Sequence, residues 1–285
     1  MVDEEGRSTA VDGFEAADAV GHRVVHGGAR FQDPVRIDEE VVDAIRDLSA
    51  LAPLHNRPAL AAIEEARRAL PTVPHVAVFD TAFHATIPER AATYAIPSRW
   101  REEWGVRRYG FHGLAVESVA ERVRVRRLVV CHLGGGCSVT AVLDGRSVDT
   151  TMGFSPLEGV PMATRSGSVD PGALLYLLRE RGLSVEELDA SLEHESGLAA
   201  LGGLDEPLGF AVYTYRIAQA AAAMAVALGG LDALAFSGGV GENRADVRQA
   251  IAGLLGFLGD LRVEVAPARE DVVVARAVRR LLTNP

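Results

Sequence analysis

The sequence is short of several things, and each shortage closes off a class of protein. Its 285 residues include only two cysteines, Cys131 and Cys137, too few for a disulfide framework or a cysteine metal site, so a reducing cytoplasm is the expected setting. There is no excess of positive charge. The formal net charge is -10, which argues against a nucleic-acid surface, because such binding needs a clustered positive field. The opening Met1-Val2-Asp3-Glu4-Glu5 is acidic and does not read as a signal peptide. The most apolar segment, 217–228, falls short of the roughly 20 residues that span a bilayer and reads as a buried, alanine-rich helix. No internal repeat stands out, and neither a membrane nor a nucleic-acid partner is expected.

What is present is the balance of a globular protein, 48% hydrophobic and 24% charged, with enough chain for one or two domains. Short apolar strands alternate with longer helical stretches, which points to an α/β architecture. Strands are expected at 19–25, 75–79, 128–131, 139–143, 146–148, 234–236 and 261–265. Helices are expected at 39–50, 57–70, 114–124, 170–181, 184–195, 208–228, 244–258 and 270–282, and Ser184 with Glu187 has the spacing of a capping box. Several strands end in polar or glycine-rich segments, where open α/β sheets place their ligands.

The stretch His132-Leu133-Gly134-Gly135-Gly136-Cys137-Ser138-Val139 matches neither a Walker loop nor a dinucleotide fingerprint. Its glycines open a hairpin that runs to an Asp144-Gly145 turn. Bare backbone N–H groups there can form an anion nest, and a plain tight turn is the bland alternative. Strand ends and polar segments add Arg23, Asp80, residues 109–113, 149–159 and 164–167, and a glycine-rich loop at 238–243. Each has an ordinary structural role open to it: an Asp can cap a helix, and an Arg in a loop is usually solvated. Glu270 and Asp271 suit the first turn of a helix. Taken together the set suits phosphoryl transfer, which depends on positioning and on neutralising a charged transition state.

The segments Arg23-Val24-Val25-His26-Gly27-Gly28, Ala52-Pro53-Leu54-His55-Asn56, Val78-Phe79-Asp80-Thr81-Ala82-Phe83-His84, Tyr109-Gly110-Phe111-His112-Gly113, residues 149–167 and Gly239-Val240-Gly241-Glu242-Asn243 resemble the acetate kinase family, in the family's order, from about residue 20 onward. The resemblance implies the two-lobed actin-like ATPase (ribonuclease H-like) architecture, with 1–82 and 268–285 as an incomplete first lobe and 83–267 as the second. It implies ATP and acetate, or propionate, as substrates, acetyl phosphate and ADP as products, Mg2+ as cofactor and a homodimer. By the same resemblance Asp80, His112 and Arg165 would be catalytic. Arg23 would bind the carboxylate, and Val25, Leu54, Phe111 and Pro156 would line its apolar pocket. His132, Leu133, Gly134, Gly135 and Gly136 would meet the ATP phosphates, Gly239, Val240, Gly241, Glu242 and Asn243 the nucleoside, and Glu270 the metal.

The sequence also departs from the family pattern. Residues 1–18 carry no match to the family's opening Asn-Ala-Gly-Ser-Ser-Ser-x-Lys phosphate loop, and the Asp-x-Arg element near the adenine is missing between Gly203 and Phe210. Gly135 stands where Asn is usual. These departures leave a second expectation beside the kinase: a non-catalytic relative that binds nucleotide or a partner without turnover.

Overall fold

The computed structural model describes residues 1–3, 5–9, 17–49 and 53–283, of which 53–55 by backbone alone. The elements run β1 (Val20–Val24), β2 (Val35–Arg36), α1 (Glu39–Leu48), α2 (Pro53–Ala69), β3 (His75–Phe79), α3 (Glu89–Ala92), α4 (Ser98–Glu102), α5 (Gly113–Val123), β4 (Arg127–Leu133), β5 (Cys137–Leu143) and β6 (Arg146–Thr150). They continue with α6 (Pro171–Glu180), α7 (Val185–His194), α8 (Gly197–Ala200), α9 (Pro207–Leu228), β7 (Ala233–Ser237), α10 (Gly238–Asn243), α11 (Ala245–Leu254), β8 (Val263–Val265) and α12 (Glu270–Thr283).

Two sheets carry the fold. The first has the order β1-β3-β2, with β1 parallel and β2 antiparallel to the central β3. Every residue of β3 is buried, as a strand covered on both faces requires. On one face Val42, Ile45, Leu60 and Ile63 of α1 and α2 pack against Val24, Ala77 and Phe79. On the other, Val273, Ala277 and Val278 of α12 pack against Val76, Val78 and Leu114, so the C-terminal helix returns to the first sheet.

The second sheet runs β6-β5-β4-β7-β8, with β4 parallel to β7 and antiparallel to β5. Alternation along β4 divides its apolar run between two cores. Val129, Cys131 and Leu133 face Tyr213, Ile217 and Ala221 of α9 and Ile251 of α11, while Leu128 and Val130 face Val116, Val119 and Val123 of α5. Helix α9 spans 22 residues, longer than the apolar 217–228, and by length and composition alone could cross a membrane. Its stripe of Tyr213, Ile217, Ala221, Met224 and Leu228 is built into the core of this sheet.

Local expectations meet the structure closely where a turn or cap sets them. Asp144 and Gly145 both have positive φ, 50° and 78°, the backbone of a two-residue hairpin turn. Ser184 and Glu187 form the reciprocal capping box. The segment 238–243 corrects the expectation of a loop, because it is helix α10. Its first amide, Gly238 N–H, donates to Glu242 Oε1 at 3.0 Å, and Asn243 Nδ2 donates to the Gly239 carbonyl at 2.8 Å, so side chains supply what glycine lacks in helix propensity. Strand β2, with two residues, is too short to show a period.

Candidate active site

The C-terminal ends of β1, β3, β4 and β7 deliver Arg23, Asp80, His132 and Ser237 with Gly238. Asp80 follows the buried β3 and is itself buried, with 1% side-chain exposure against 42% for Arg23. Arg23 Nη2 donates to Asp80 Oδ2 at 2.7 Å, its Nε reaches both carboxylate oxygens at 3.2 and 3.1 Å, and its Nη1 lies 3.1 Å from Glu270 Oε2. The guanidinium is thus braced between two carboxylates from different elements. Burial opposes its charge, and Asp80 and Glu270 more than offset that. Glu270, at the start of α12, is turned into this cluster, and burial pushes its carboxyl up against the opposing pull of Arg23. The neighbouring Asp271 pairs with Arg269 instead, so only one of the two acids at this helix start belongs to the site.

His112 precedes α5 in the left-handed conformation, φ 61°, a strained setting for a non-glycine residue and one that recurs at functional sites. Its Nδ1 lies 3.1 Å from Ser138 Oγ, and its ring sits 4.7 Å from that of His132, whose Nδ1 lies 3.0 Å from Ser237 Oγ. Burial drives both rings down, His112 well below the ordinary histidine value and His132 to about 4, with Arg23 adding to both shifts. Both are neutral hydrogen-bonding groups at pH 7.

The hairpin between β4 and β5 closes through Gly134 N–H donating to the Gly136 carbonyl at 3.0 Å, with Leu133 paired to Cys137. A Cβ added at Gly136 would lie 2.9 Å from Arg165 Nη2 and 3.1 Å from His112 Nε2. A side chain at this position would run into both groups, so only glycine leaves room for them here. Gly135, at the tip, is exposed, and a Cβ there would have nothing within 4 Å. On the other side, a Cβ at Gly238 would lie 2.7 Å from the Leu133 carbonyl, so α10 starts against the root of the hairpin. Arg165 is held by donating Nη1 to the Pro156 carbonyl at 2.9 Å, and its Nε lies 3.7 Å from Glu193 Oε2. The sequence contains no lysine, so arginine supplies every strong side-chain cation.

Of the pocket residues, Phe111 and Pro156 are buried and Val25 is half-buried against the Phe111 core. The Leu54 side chain lies outside the described residues. In α10, Glu242 and Asn243 spend their side chains on their own helix and Gly241 is buried with its carbonyl taken by Arg248, which leaves Gly239 and Val240 to offer backbone and surface. A 660 Å³ cavity lined by Arg36, Arg46, Arg67 and Arg68 lies at the opposite end of β3, beside His75.

Sequence reasoning missed the supports. His84 bridges Ser147 Oγ at 2.8 Å and the Phe111 carbonyl at 2.9 Å, fixing the peptide before His112. Tyr94 donates to Glu158, which also takes Arg108 Nη2 at 3.0 Å, while Arg108 Nη1 reaches the Thr151 and Met152 carbonyls. This brace ties the segment before Phe111 to the loop that carries Pro156. Ser237 is foreseeable only with the register in hand, since it pairs with His132 across β4 and β7.

Two outcomes follow from this geometry. Gly136→Ala places a methyl against Arg165 and His112; kcat should fall about tenfold or more, as misplacement of reacting groups by an ångström does, with the thermal midpoint nearly unchanged. Steady-state rates and calorimetry on the same samples check it. His26 and His84 are buried and pushed down to about 4 by burial. Their folded pKa lies below the unfolded value near 6.5, so the unfolded chain gains protons first. The stability they contribute is complete above about pH 6.5 and drains toward pH 4, at up to about 1.4 kcal/mol per pH unit for each ring. Urea midpoints should hold from pH 8 to 7 and drop steeply below 6.

Two sheets with helices on their faces, and arginines, carboxylates and a glycine hairpin meeting at the strand ends, define a two-lobed phosphotransferase of the actin-like ATPase architecture. The sequence profile of the acetokinase family matches residues 7–278, and the chain belongs to that family. It is 45% identical to the acetate kinase of Nostoc punctiforme over 98% of this chain and 75% of that protein, and 50% identical to the acetate kinase of Deinococcus deserti over 86% and 68%. The crystal structure of a propionate kinase from Francisella tularensis superposes with a TM-score of 0.86 at 36% identity, covering 91% of this chain and 78% of that one.

Proposed function

We propose that the chain transfers the γ-phosphoryl group of ATP reversibly to a short carboxylate, acetate or propionate. The carrying observation is the meeting of Arg165 and His112 on the Gly136 backbone beside the Arg23–Asp80–Glu270 cluster. A carboxylate oxygen forms the new bond to phosphorus while the bond to the ADP oxygen breaks, giving acyl phosphate and ADP. Arg23 holds the carboxylate, aimed by Asp80. Arg165 and the Nε2 edge of His112 stabilise the charge spread over the transferred group. The hairpin amides and the start of α10 take the nucleotide phosphates and nucleoside. The pocket of Val25, Leu54, Phe111 and Pro156 takes the alkyl group, and such a pocket separates acetate from propionate by only about 1–3 kcal/mol.

Among the described residues no three His, Cys, Asp or Glu side chains converge to cage a metal. The donor set fits Mg2+ held by Glu270 together with waters and phosphate oxygens, the usual arrangement for this ion with a nucleotide. When bound it supplies positive charge to the phosphates. We assign 1–82 with 268–285 to a first lobe and 83–267 to a second, place the protein in the cytoplasm, and assign the exposed Leu208, Tyr215 and Val226 of α9 to a homodimer contact. Phosphorus NMR of the chain with acetyl phosphate and MgADP tests the activity. ATP signals should grow as acetyl phosphate is lost; decay to inorganic phosphate alone would refute it.

A further inference from the structure

Among the described residues, two buried side-chain polar atoms lack a hydrogen-bond partner, His26 Nε2 and Arg108 Nε. Arg108 has other donors in use. His26 does not. Its backbone is clamped by Asn56, whose Oδ1 accepts from the His26 N–H and whose Nδ2 donates to the His26 carbonyl, both at 3.1 Å. Its Nδ1 accepts from Gly28 N–H at 2.9 Å, which fixes the tautomer and puts the proton of the neutral ring on Nε2. A buried N–H donor therefore stands without an acceptor in full hydrogen-bond geometry, so the cost of its desolvation is only partly offset.

The surroundings of the ring show what could use this proton. It stands edge-on to Tyr109 at 4.6 Å and to Phe111 at 5.4 Å. The Phe154 carbonyl is close enough to favour the protonated ring but does not meet Nε2 in hydrogen-bond geometry. Phe154 belongs to a segment held at both ends. The Gly153 carbonyl accepts from Tyr109 and Gly110 N–H at 3.0 and 3.2 Å, and the Pro156 carbonyl accepts from Arg165. Any turn of the Phe154 peptide toward His26 is thus felt two residues later, at the group that holds Arg165.

We propose that His26 is a positioning residue of the acyl pocket, whose Nε2–H captures the Phe154 carbonyl when a short carboxylate fills the pocket and so locks segment 153–156, with Arg165 at its end. The inference rests on the kinase reading above. Filling the space between Phe111 and Pro156 draws the wall inward, and the new hydrogen bond recovers the lost solvation of the donor, so binding energy of the substrate is spent on aligning Arg165. A longer acyl chain holds the wall apart and forfeits the bond, which adds to the preference for the smaller acid.

The test uses the full chain with ring-15N histidine. The His26 Nε2–H resonance is assigned by its loss in His26→Asn, a variant whose Oδ1 can still accept from Gly28 N–H. Added acetate should move this resonance downfield and slow its exchange with water. In kinetics, His26→Asn should lower kcat roughly tenfold and narrow the acetate-to-propionate ratio of kcat/KM, while His26→Gln, which restores an N–H near the Nε2 position, should recover most of both. Acetate that shifts Arg165 side-chain signals but leaves the His26 proton unmoved would overturn the latch and spare the kinase. Equal rates for the Asn and Gln variants would do the same. No acetate-induced shift anywhere would overturn both.

Discussion

Arg165→Ala lowers kcat for acyl phosphate formation by about three orders of magnitude, in line with the roughly 10³–10⁵ that an arginine placed on a transferring phosphoryl group supplies. Arg165 is aimed by the Pro156 carbonyl and Glu193, and the end of its fork occupies the space a side chain at position 136 would need. The chain has no lysine that could stand in for it. Because the loss falls on the transition state, the acetate KM should change much less than kcat. The fold should survive the substitution. Glu193 would be left without this partner in a site where burial already pushes its carboxyl up, and it can take a proton rather than strand a charge. Arg165→Lys should recover little, since a point charge cannot reproduce the fork that reaches Pro156 and the hairpin together. Pre-steady-state rates beside thermal midpoints separate the chemical loss from any loss of structure.

Asp80→Asn has the second largest effect, and it divides differently. The shape is kept, but the charge that gathers Arg23 through Nε and Nη2 is gone. Arg23 then turns toward Glu270, already 3.1 Å away, and engages the carboxylate assigned to the metal. The expected result is a fall of about 10²–10³ in kcat/KM for the carboxylate, with a raised KM for MgATP as well. Breaking a fully buried pair costs about 3–5 kcal/mol, and because Arg23 is 42% exposed the stability loss should be nearer about 1–2 kcal/mol. Varying acetate and MgATP in turn, with a urea titration of the same variant, reads all three quantities. A defect confined to stability would remove Asp80 from the site.

The acid lability of the buried histidines and the tautomer of His26 come from the same feature. These rings are desolvated where they sit, so they act as fixed neutral donors and acceptors. The pH dependence of activity at neutral pH should not report their titration.

Much of this architecture is legible in the sequence because local rules write it. The apolar runs of β3 and β4, the Asp144–Gly145 turn, the capping box at Ser184 and the glycine hairpin each follow from a short-range preference. The residues proposed to touch a phosphoryl group are legible for another reason: the glycine hairpin follows a strand, and His112 and Arg165 lie in recognisable segments. What the sequence conceals is set by register and by long-range packing. Ser138 and Ser237 become partners of His112 and His132 only once β4 is paired with β5 and β7. The Tyr94–Glu158–Arg108 brace joins residues up to 64 apart, none of which stands out alone. Segment 238–243 reads as a loop because of its glycines, whereas Glu242 and Asn243 close it into a helix with their side chains.

The most direct measurement is acetyl hydroxamate formation from acetate, MgATP and hydroxylamine by the purified 285-residue chain, with Arg165→Ala prepared in parallel to expose any contaminating host enzyme. The account predicts turnover by the chain that depends on both acetate and MgATP and that Arg165→Ala abolishes. A folded chain that forms no hydroxamate, or one whose rate the substitution leaves untouched, would contradict it.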